Sequence, residues 1–384
     1  MNKFTDISAI SSSFNAPGGR VLIGIDGYVD EVWQVVESRA DNDNYTIFKR
    51  FRQFGEHLLK YDEGGMAAEI IRKRRIYGGF TANTGNASIC LGVGTVLLSM
   101  FGKDVTDPVF SCFDRNNDEA RIVSIGDPAV CHIFEFDDGK MMFPYNKAVN
   151  DLDWGFLTNA VPLDLLQQIM READIIALGY WSNMHAFDDL VVKFYDILSG
   201  GDGNQQDILI GGGKRQRMFF DFADIRKREI KALDDTLSML GGIGESLPMT
   251  LSLNEHEADL LFSHLDEPFS MEAFQAEESA KRVREKTGLD EIVVHTPHFA
   301  LSASLSEGVI SMPQKYCNNP ARTTGAGDTF NGAYISAYAK KLAARERLAV
   351  SNATVGFFIR NGYAPNKEEM LMEIEEMHGE IGAF

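Results

Sequence analysis

Thr323-Thr324-Gly325-Ala326-Gly327-Asp328-Thr329-Phe330-Asn331-Gly332-Ala333 sets three small residues directly before one carboxylate, and a helix-forming run, 330–342, follows. The N-terminus of a helix presents unpaired backbone N–H groups and a partial positive charge. With no Cβ on Gly325 and Gly327, an anion can approach that backbone closely. Asp328 then stands where it could take a proton from a hydroxyl beside the anion. An anion cradle plus one base is the minimum equipment for moving a phosphoryl group onto an alcohol.

Upstream of this stretch, helix and strand patterns alternate. Near-continuous apolar runs predict buried strands at 20–26, 95–101, 174–178, 218–222, 249–253 and 291–295. Helical patterns fall at 83–91, 163–172, 187–198, 229–240 and 271–286, and three helices (327–342, 346–360, 367–377) close the chain. This alternation implies a doubly wound, mostly parallel sheet with helices on both faces. Ligands of such sheets bind beyond the C-terminal strand ends.

Two polar segments interrupt the alternation. The first, 30–77, carries helical stretches at 54–61 and 66–75. The second, 105–150, contains the hairpin signal Asp137-Asp138-Gly139 between strands at 129–136 and 140–145. Together they read as one discontinuous β-rich lid. The core is then 1–29, 78–104 and 151–384. A second hairpin turns at Ser306-Glu307-Gly308, and the glycines between Ser199 and Gly213 read as a flexible surface loop.

Composition limits the partners. At 44% hydrophobic and 24% charged, the chain is ordinary for a globular protein. A net charge of −19 argues against nucleic acid, though not against a nucleotide held by local positive potential. No apolar run approaches a membrane span, and the Ser-rich N-terminus lacks a signal-peptide core. Four scattered cysteines, Cys90, Cys112, Cys131 and Cys317, read as reduced thiols of a cytoplasmic protein. The eight histidines show no ligand spacing, so His295 and His298 read as structural.

Three further groups could carry chemistry. Asp26 and Asp30 follow the first buried strand, where a carboxylate could accept from two hydroxyls of a polyol or simply cap a turn. Gly78-Gly79 would let a substrate lie against the backbone, with Asn83 either hydrogen-bonding it or capping a helix. Asn254 and Glu257 have the spacing of a capping box. The basic run Arg72-Lys73-Arg74-Arg75 could greet an acidic substrate, but reads better as a solvated helix face. Asn146 and Lys147, after the lid hairpin, could touch substrate or lie on the surface.

Taken in order, these groups resemble the motifs of the PfkB (ribokinase-like) small-molecule kinases. Thr323 to Asp328 is similar to that family's second signature, Asp-Thr-x-Gly-Ala-Gly-Asp, with Arg322 where the family has its first Asp. Gly78-Gly79…Asn83 resembles the first signature, Gly-Gly-x-x-x-Asn. Asn254…Glu257 matches Asn-x-x-Glu, and Asp30, with Asp26 second, falls where the family places a substrate-binding Asp.

The resemblance implies an ATP- and Mg²⁺-dependent kinase acting on a hydroxyl of a sugar-like molecule. Asp328 would be the base and the Gly325, Ala326 and Gly327 backbone the anion hole. Asp30, Asp26, Gly78, Gly79 and Asn83 would bind substrate. Asn254, Glu257, Thr296, Thr324, Asn352 and Asp221 would serve the nucleotide, with Glu257 holding Mg²⁺ through water. A homodimer through the lid is implied as well. Arg322 cannot ligate K⁺ but could replace its charge, so little K⁺ activation is expected. A nucleoside kinase, using an aromatic wall drawn from Tyr28, Trp33 and Phe80, and a non-catalytic sugar- or nucleotide-binding regulator stay open.

Overall fold

The computed structural model describes residues 6–61, 64–113, 120–200 and 216–381. In chain order it contains α1 (Ile7–Asn15), β1 (Arg20–Ile25), β2 (Tyr28–Arg39), β3 (Tyr45–Ile47), α2 (Phe51–Leu58), β4 (Ile70–Gly78), α3 (Phe80–Cys90) and β5 (Gly94–Ser99). There follow β6 (Ala120–Ser124), β7 (Ala129–Phe136), β8 (Gly139–Tyr145), α4 (Lys147–Asn150), α5 (Trp154–Ala160), α6 (Leu163–Glu172), β9 (Ile175–Gly179), α7 (Phe187–Leu198) and β10 (Arg217–Asp221). Then come α8 (Ile230–Gly244), β11 (Met249–Asn254), α9 (Glu255–His264), α10 (Ala273–Thr287), β12 (Glu291–His295), β13 (Phe299–Ser304) and β14 (Gly308–Pro313). The helices α11 (Ala326–Ala339), α12 (Ala344–Asn361) and α13 (Lys367–Ile381) complete the order.

Nine strands form one sheet, ordered β14-β13-β12-β11-β10-β9-β1-β5-β6. Pairing is parallel from β6 through β12 and antiparallel for β13 and β14. Along each strand, alternate residues enter opposite cores. Leu22, Leu98, Ile176, Phe220 and Leu251 pack on one face, and Val21, Ile23, Leu97, Ala177 and Phe219 on the other. Such burial on both faces is why these strands read as unbroken apolar runs.

The second sheet runs β3-β2-β7-β8, with β4 also paired to β2. Two sequence expectations need correction here. The stretch 66–75 is not helical: Ile70–Gly78 is a strand in antiparallel register with β2, Asp30 facing Ile76 and Glu31 facing Arg75. The β-branched and aromatic residues Ile70, Ile71, Ile76 and Tyr77 bracket the basic run and favour a strand. Its arginines are taken up by carboxylates: Arg72 by Glu31 at 3.3 Å, Arg74 by Glu135 at 2.7 Å, and Arg75 by Asp107 through two contacts of 2.6 Å. They are therefore not a helix face.

The segment 105–150 is also not all lid. Ala120–Ser124 pairs with β5 as the edge of the large sheet, and only the strands from Ala129 to Tyr145 join the small one. The glycine-rich loop between Ser199 and Gly213 falls mostly outside the described residues. The four cysteines are unbridged. Among the described residues no helix is long and apolar enough to cross a membrane.

Candidate active site

The C-terminal ends of β1, β9, β10, β11 and β12 meet the N-termini of α3, α9 and α11. Asp328 lies in the first turn of α11, behind the left-handed Gly325 (φ 83°) that starts the helix. Both of its carboxylate oxygens are held. Tyr180, just past β9, donates its hydroxyl to Oδ1 at 2.6 Å, and Asn83 of α3 donates its amide to Oδ2 at 3.0 Å. Burial raises the Asp328 carboxyl well above the usual range and the Asp221 charge adds to that, while the Tyr180 and Asn83 donors pull it back. The carboxylate is thus shielded from water and kept in one orientation.

The backbone beside it divides in two. The Ala326 amide donates to the Thr323 carbonyl at 3.1 Å, and the Thr329 amide to Gly325 at 2.9 Å. The amides of Gly327 and Asp328, between them, have no backbone acceptor among the described residues. A helix start leaves such groups for an anion.

Asp26 and Asp30 take different positions. Asp26 is fully buried and accepts from the amides of Phe80 and Thr81, both at 2.8 Å, and from the Thr81 hydroxyl at 2.7 Å. It fastens the start of α3 instead of facing a substrate, and burial pushes it up to about 6. Asp30, on β2, projects from the small sheet, and burial raises it to about 6 against the opposing charges of Lys140 and Arg322. The glycine pair is explained by these carboxylates. A Cβ on Gly78 would lie 2.5 Å from Asp30 Oδ2, and one on Gly79 (φ 86°) 2.5 Å from Asp26 Oδ2.

A cavity of about 550 Å³ opens from this point, lined by Asp221, Asn254, Glu257, Thr296, Asn352 and the Gly325–Asp328 turn, among others. Thr324 is not in its wall. Asn254 caps α9, accepting from the amides of His256 (2.9 Å) and Glu257 (3.0 Å), while Glu257 accepts from the Asn254 amide at 2.9 Å. The capping box and the cavity wall are thus the same residues. Asp221 accepts from Asn331 at 2.8 Å and from the Ala223 amide at 2.8 Å. The Thr296 hydroxyl is spent on the β12–β13 turn, donating to the Phe299 carbonyl at 3.0 Å, and Asn352 donates to the Pro313 carbonyl at 3.1 Å.

Burial raises Asp221 to about 7, and burial with the Asp221 charge raises Glu257 well above its ordinary value. Buried carboxylates raised in this way suit a cation held between them and a polyphosphate. No three acidic, His or Cys side chains converge closely enough to cage a metal among the described residues. This donor set fits Mg²⁺, which keeps several waters and leans on phosphate oxygens.

Tyr180 and Lys140 were not legible in advance. Tyr180 follows β9 at the binding edge, a position that marked it only once strand ends were known. Lys140, on β8, contacts the Thr324 hydroxyl. His295 flanks Gly327, its ring 4.7 Å from that of Phe330, and burial lowers its imidazole to about 4. Arg322 donates through Nε to the Thr324 carbonyl at 3.0 Å and lies over Phe358 at 5.2 Å. The aromatic trio does not form a wall: Phe80 is fully buried, Tyr28 donates to Asn146, and Trp33 lies beside His132 and Arg72. Lys147 pairs with Asp151 instead of facing the cavity.

The chain is similar to known proteins over most of its length. A profile described as prokaryotic ketohexokinase matches residues 8–377. A ketohexokinase of Haloferax volcanii is 25% identical over 356 residues, spanning 92% of this chain and 90% of that protein. The fold is similar to Arabidopsis thaliana ribokinase complexed with ribose and ATP (TM-score 0.62, 15% identity, 94% of this chain and 99% of that one). It is also similar to Escherichia coli phosphofructokinase-2 in complex with substrates and products (0.59, 12%, 93% and 99%). The fold is therefore ribokinase-like, and the chain, a carbohydrate kinase, belongs to the prokaryotic ketohexokinase family.

Proposed function

We propose that this kinase transfers the γ-phosphoryl group of ATP to a hydroxyl of a ketohexose, with Asp328 as general base. The observation that carries the reading is the hold on Asp328: one oxygen on Tyr180, the other on Asn83, directly beside the amides of Gly327 and Asp328, which have no backbone acceptor among the described residues. The base and the anion cradle are thus within one helical turn.

In this reading the substrate oxygen forms its bond to phosphorus as the bond to the β–γ bridging oxygen breaks and ADP leaves. Asp328 accepts the hydroxyl proton, and the helix-start amides carry charge on the equatorial oxygens. Asp30 accepts from sugar hydroxyls. Asp26 acts indirectly, by fixing α3 and so Asn83. Asp221, Asn254, Glu257, Thr296 and Asn352 line the nucleotide cavity. Glu257 would hold Mg²⁺ through water, and the metal would neutralise phosphate charge when bound. The small sheet serves as a lid that excludes water. Its outer face, with Phe143 55% and Tyr145 64% exposed, supports a homodimer formed through the lids.

The dispersal of Tyr28, Trp33 and Phe80 favours a sugar over a nucleoside. The test is ADP release with fructose, other ketohexoses, ribose, fructose 6-phosphate and nucleosides, in wild type and Asp328→Asn. Ketohexose-dependent turnover that collapses in the variant supports the reading. Preference for a nucleoside or a phosphosugar refutes it.

A further inference from the structure

Lys140 belongs to β8, the outer strand of the small sheet, yet its ammonium meets the Thr324 hydroxyl in the turn that leads into α11. The register explains this reach. Lys140 faces Glu135 on β7, and Cys131 on β7 faces Asp30 on β2. Alternate residues share a face, so Lys140 and Asp30 project on the same side. Glu135 is already bound by Arg74 at 2.7 Å, so the Lys140 ammonium is directed to the loop. Arg322, in the loop between β14 and α11, donates to the Thr324 carbonyl. Two cations thus flank the turn that carries the anion cradle, and the charges of both act on Asp30.

The hairpin tip beside Lys140 is braced by the segment around α2. The rings of Phe51 and Phe54 lie 4.8 and 5.8 Å from Phe136. The Phe51 amide donates to Asp138 at 3.0 Å, and the Asp137 amide to the Lys49 carbonyl at 2.7 Å. With Val35 and Phe48 these residues form a small core of their own.

We propose that Lys140 is a catalytic residue, laid by the lid hairpin against the phosphoryl group in transfer, and that the Phe51–Phe54–Phe136 core holds the hairpin for that purpose. The inference rests on the kinase reading above. Lys140 exchanges no proton: the sugar oxygen gains the phosphorus, ADP keeps the bridging oxygen, and Asp328 takes the proton. The lysine supplies charge to the equatorial oxygens. The cradle is then complete only with the lid down, and water entering an open site meets an incomplete one.

Lys140→Met keeps most of the stem and removes the charge, and Lys140→Arg keeps the charge. Two readouts separate the possibilities: steady-state turnover of fructose, and binding of MgADP with and without aluminium fluoride. The expected result for Lys140→Met is a fall in kcat of about a hundredfold, with KM for fructose within about threefold. Affinity for MgADP alone stays the same, the gain from aluminium fluoride is lost, and Lys140→Arg restores part of both. An unchanged kcat, a loss confined to KM, or an aluminium fluoride gain equal in both proteins overturns the proposal. Absence of fructose turnover in the wild type would count against the ketohexose reading alone, because the aluminium fluoride measurement needs no sugar and still judges Lys140.

Discussion

The two sheets contribute to the site in different ways. From the large sheet come carboxylates that are tied at both ends: Asp328 to Tyr180 and Asn83, Asp221 to Asn331 and Ala223, Asp26 to the start of α3. From the small sheet come Asp30 and Lys140, which project from one strand face; Lys140 meets the Thr324 hydroxyl, and the charges of Lys140 and Arg322 act on the buried Asp30. In the proposed reaction the general base is thus fixed by the frame of the large sheet, while Asp30 and Lys140 reach the site from a separate sheet.

Substitutions on either side of this division should differ in kind. The largest effect is expected from Asp328→Asn, which leaves the frame intact and removes the base. Its kcat should fall by about 10²–10⁴-fold with little change in KM, measured by ADP release. A drop in KM affinity alone would place the chemistry elsewhere. Gly79→Ala lies at the seam of the two regions. A side chain there must adopt a positive φ and push on Asp26, so about 1–3 kcal/mol of stability should be lost, read from urea unfolding, together with activity.

Tyr180→Phe removes a donor that favours the ionised form of Asp328, so the base becomes harder to ionise. The acid limb of kcat/KM should move to higher pH, with activity recovering on the alkaline side. A profile displaced downward at every pH instead would mean that Tyr180 only packs. Asp221→Asn tests the electrostatic strain of the frame. The folded carboxyl titrates near about 7 against an ordinary value of 3.8. Its protonated form is favoured by folding, so stability is full below the ordinary value and declines as pH rises through about 7. The ligand-free variant should therefore melt higher than wild type above neutral pH and converge with it in acid, as thermal scans across pH would record. The smallest effect concerns K⁺. With the Arg322 guanidinium on the Thr324 carbonyl, replacing K⁺ by a bulky organic cation should alter the rate less than about twofold, and a strong requirement would contradict the charge substitution.

Much of the frame could be read from residues alone because its signals are local. Buried parallel strands are continuous apolar runs, and the ranges expected for α6, α7 and β12 coincide with the elements found. The Gly325–Asp328 turn and its helix also follow from composition. The lid was harder. A basic run at 72–75 looks helical until its carboxylate partners on β2, β7 and the segment after β5 are known, and all of them are distant in sequence. Tyr180 and Lys140 carry no motif, since each is defined only by which strand end or hairpin face it occupies. The resemblance places Asp30 before Asp26, and the physical ground for that order is what acts on each: amides on Asp26, the charges of Lys140 and Arg322 on the buried Asp30.

The anchoring role of Asp26 has a consequence for how the protein comes into being. Asp26 binds residues 54 and 55 positions later, and α3 then reaches Asp328 through a contact 245 positions away. Contacts of such long range form late, because loop closure must precede any return from them. During refolding, helical and sheet signals should return before turnover does. The interval between them would be a period in which the chain is already folded by most spectroscopic criteria and is not yet an enzyme.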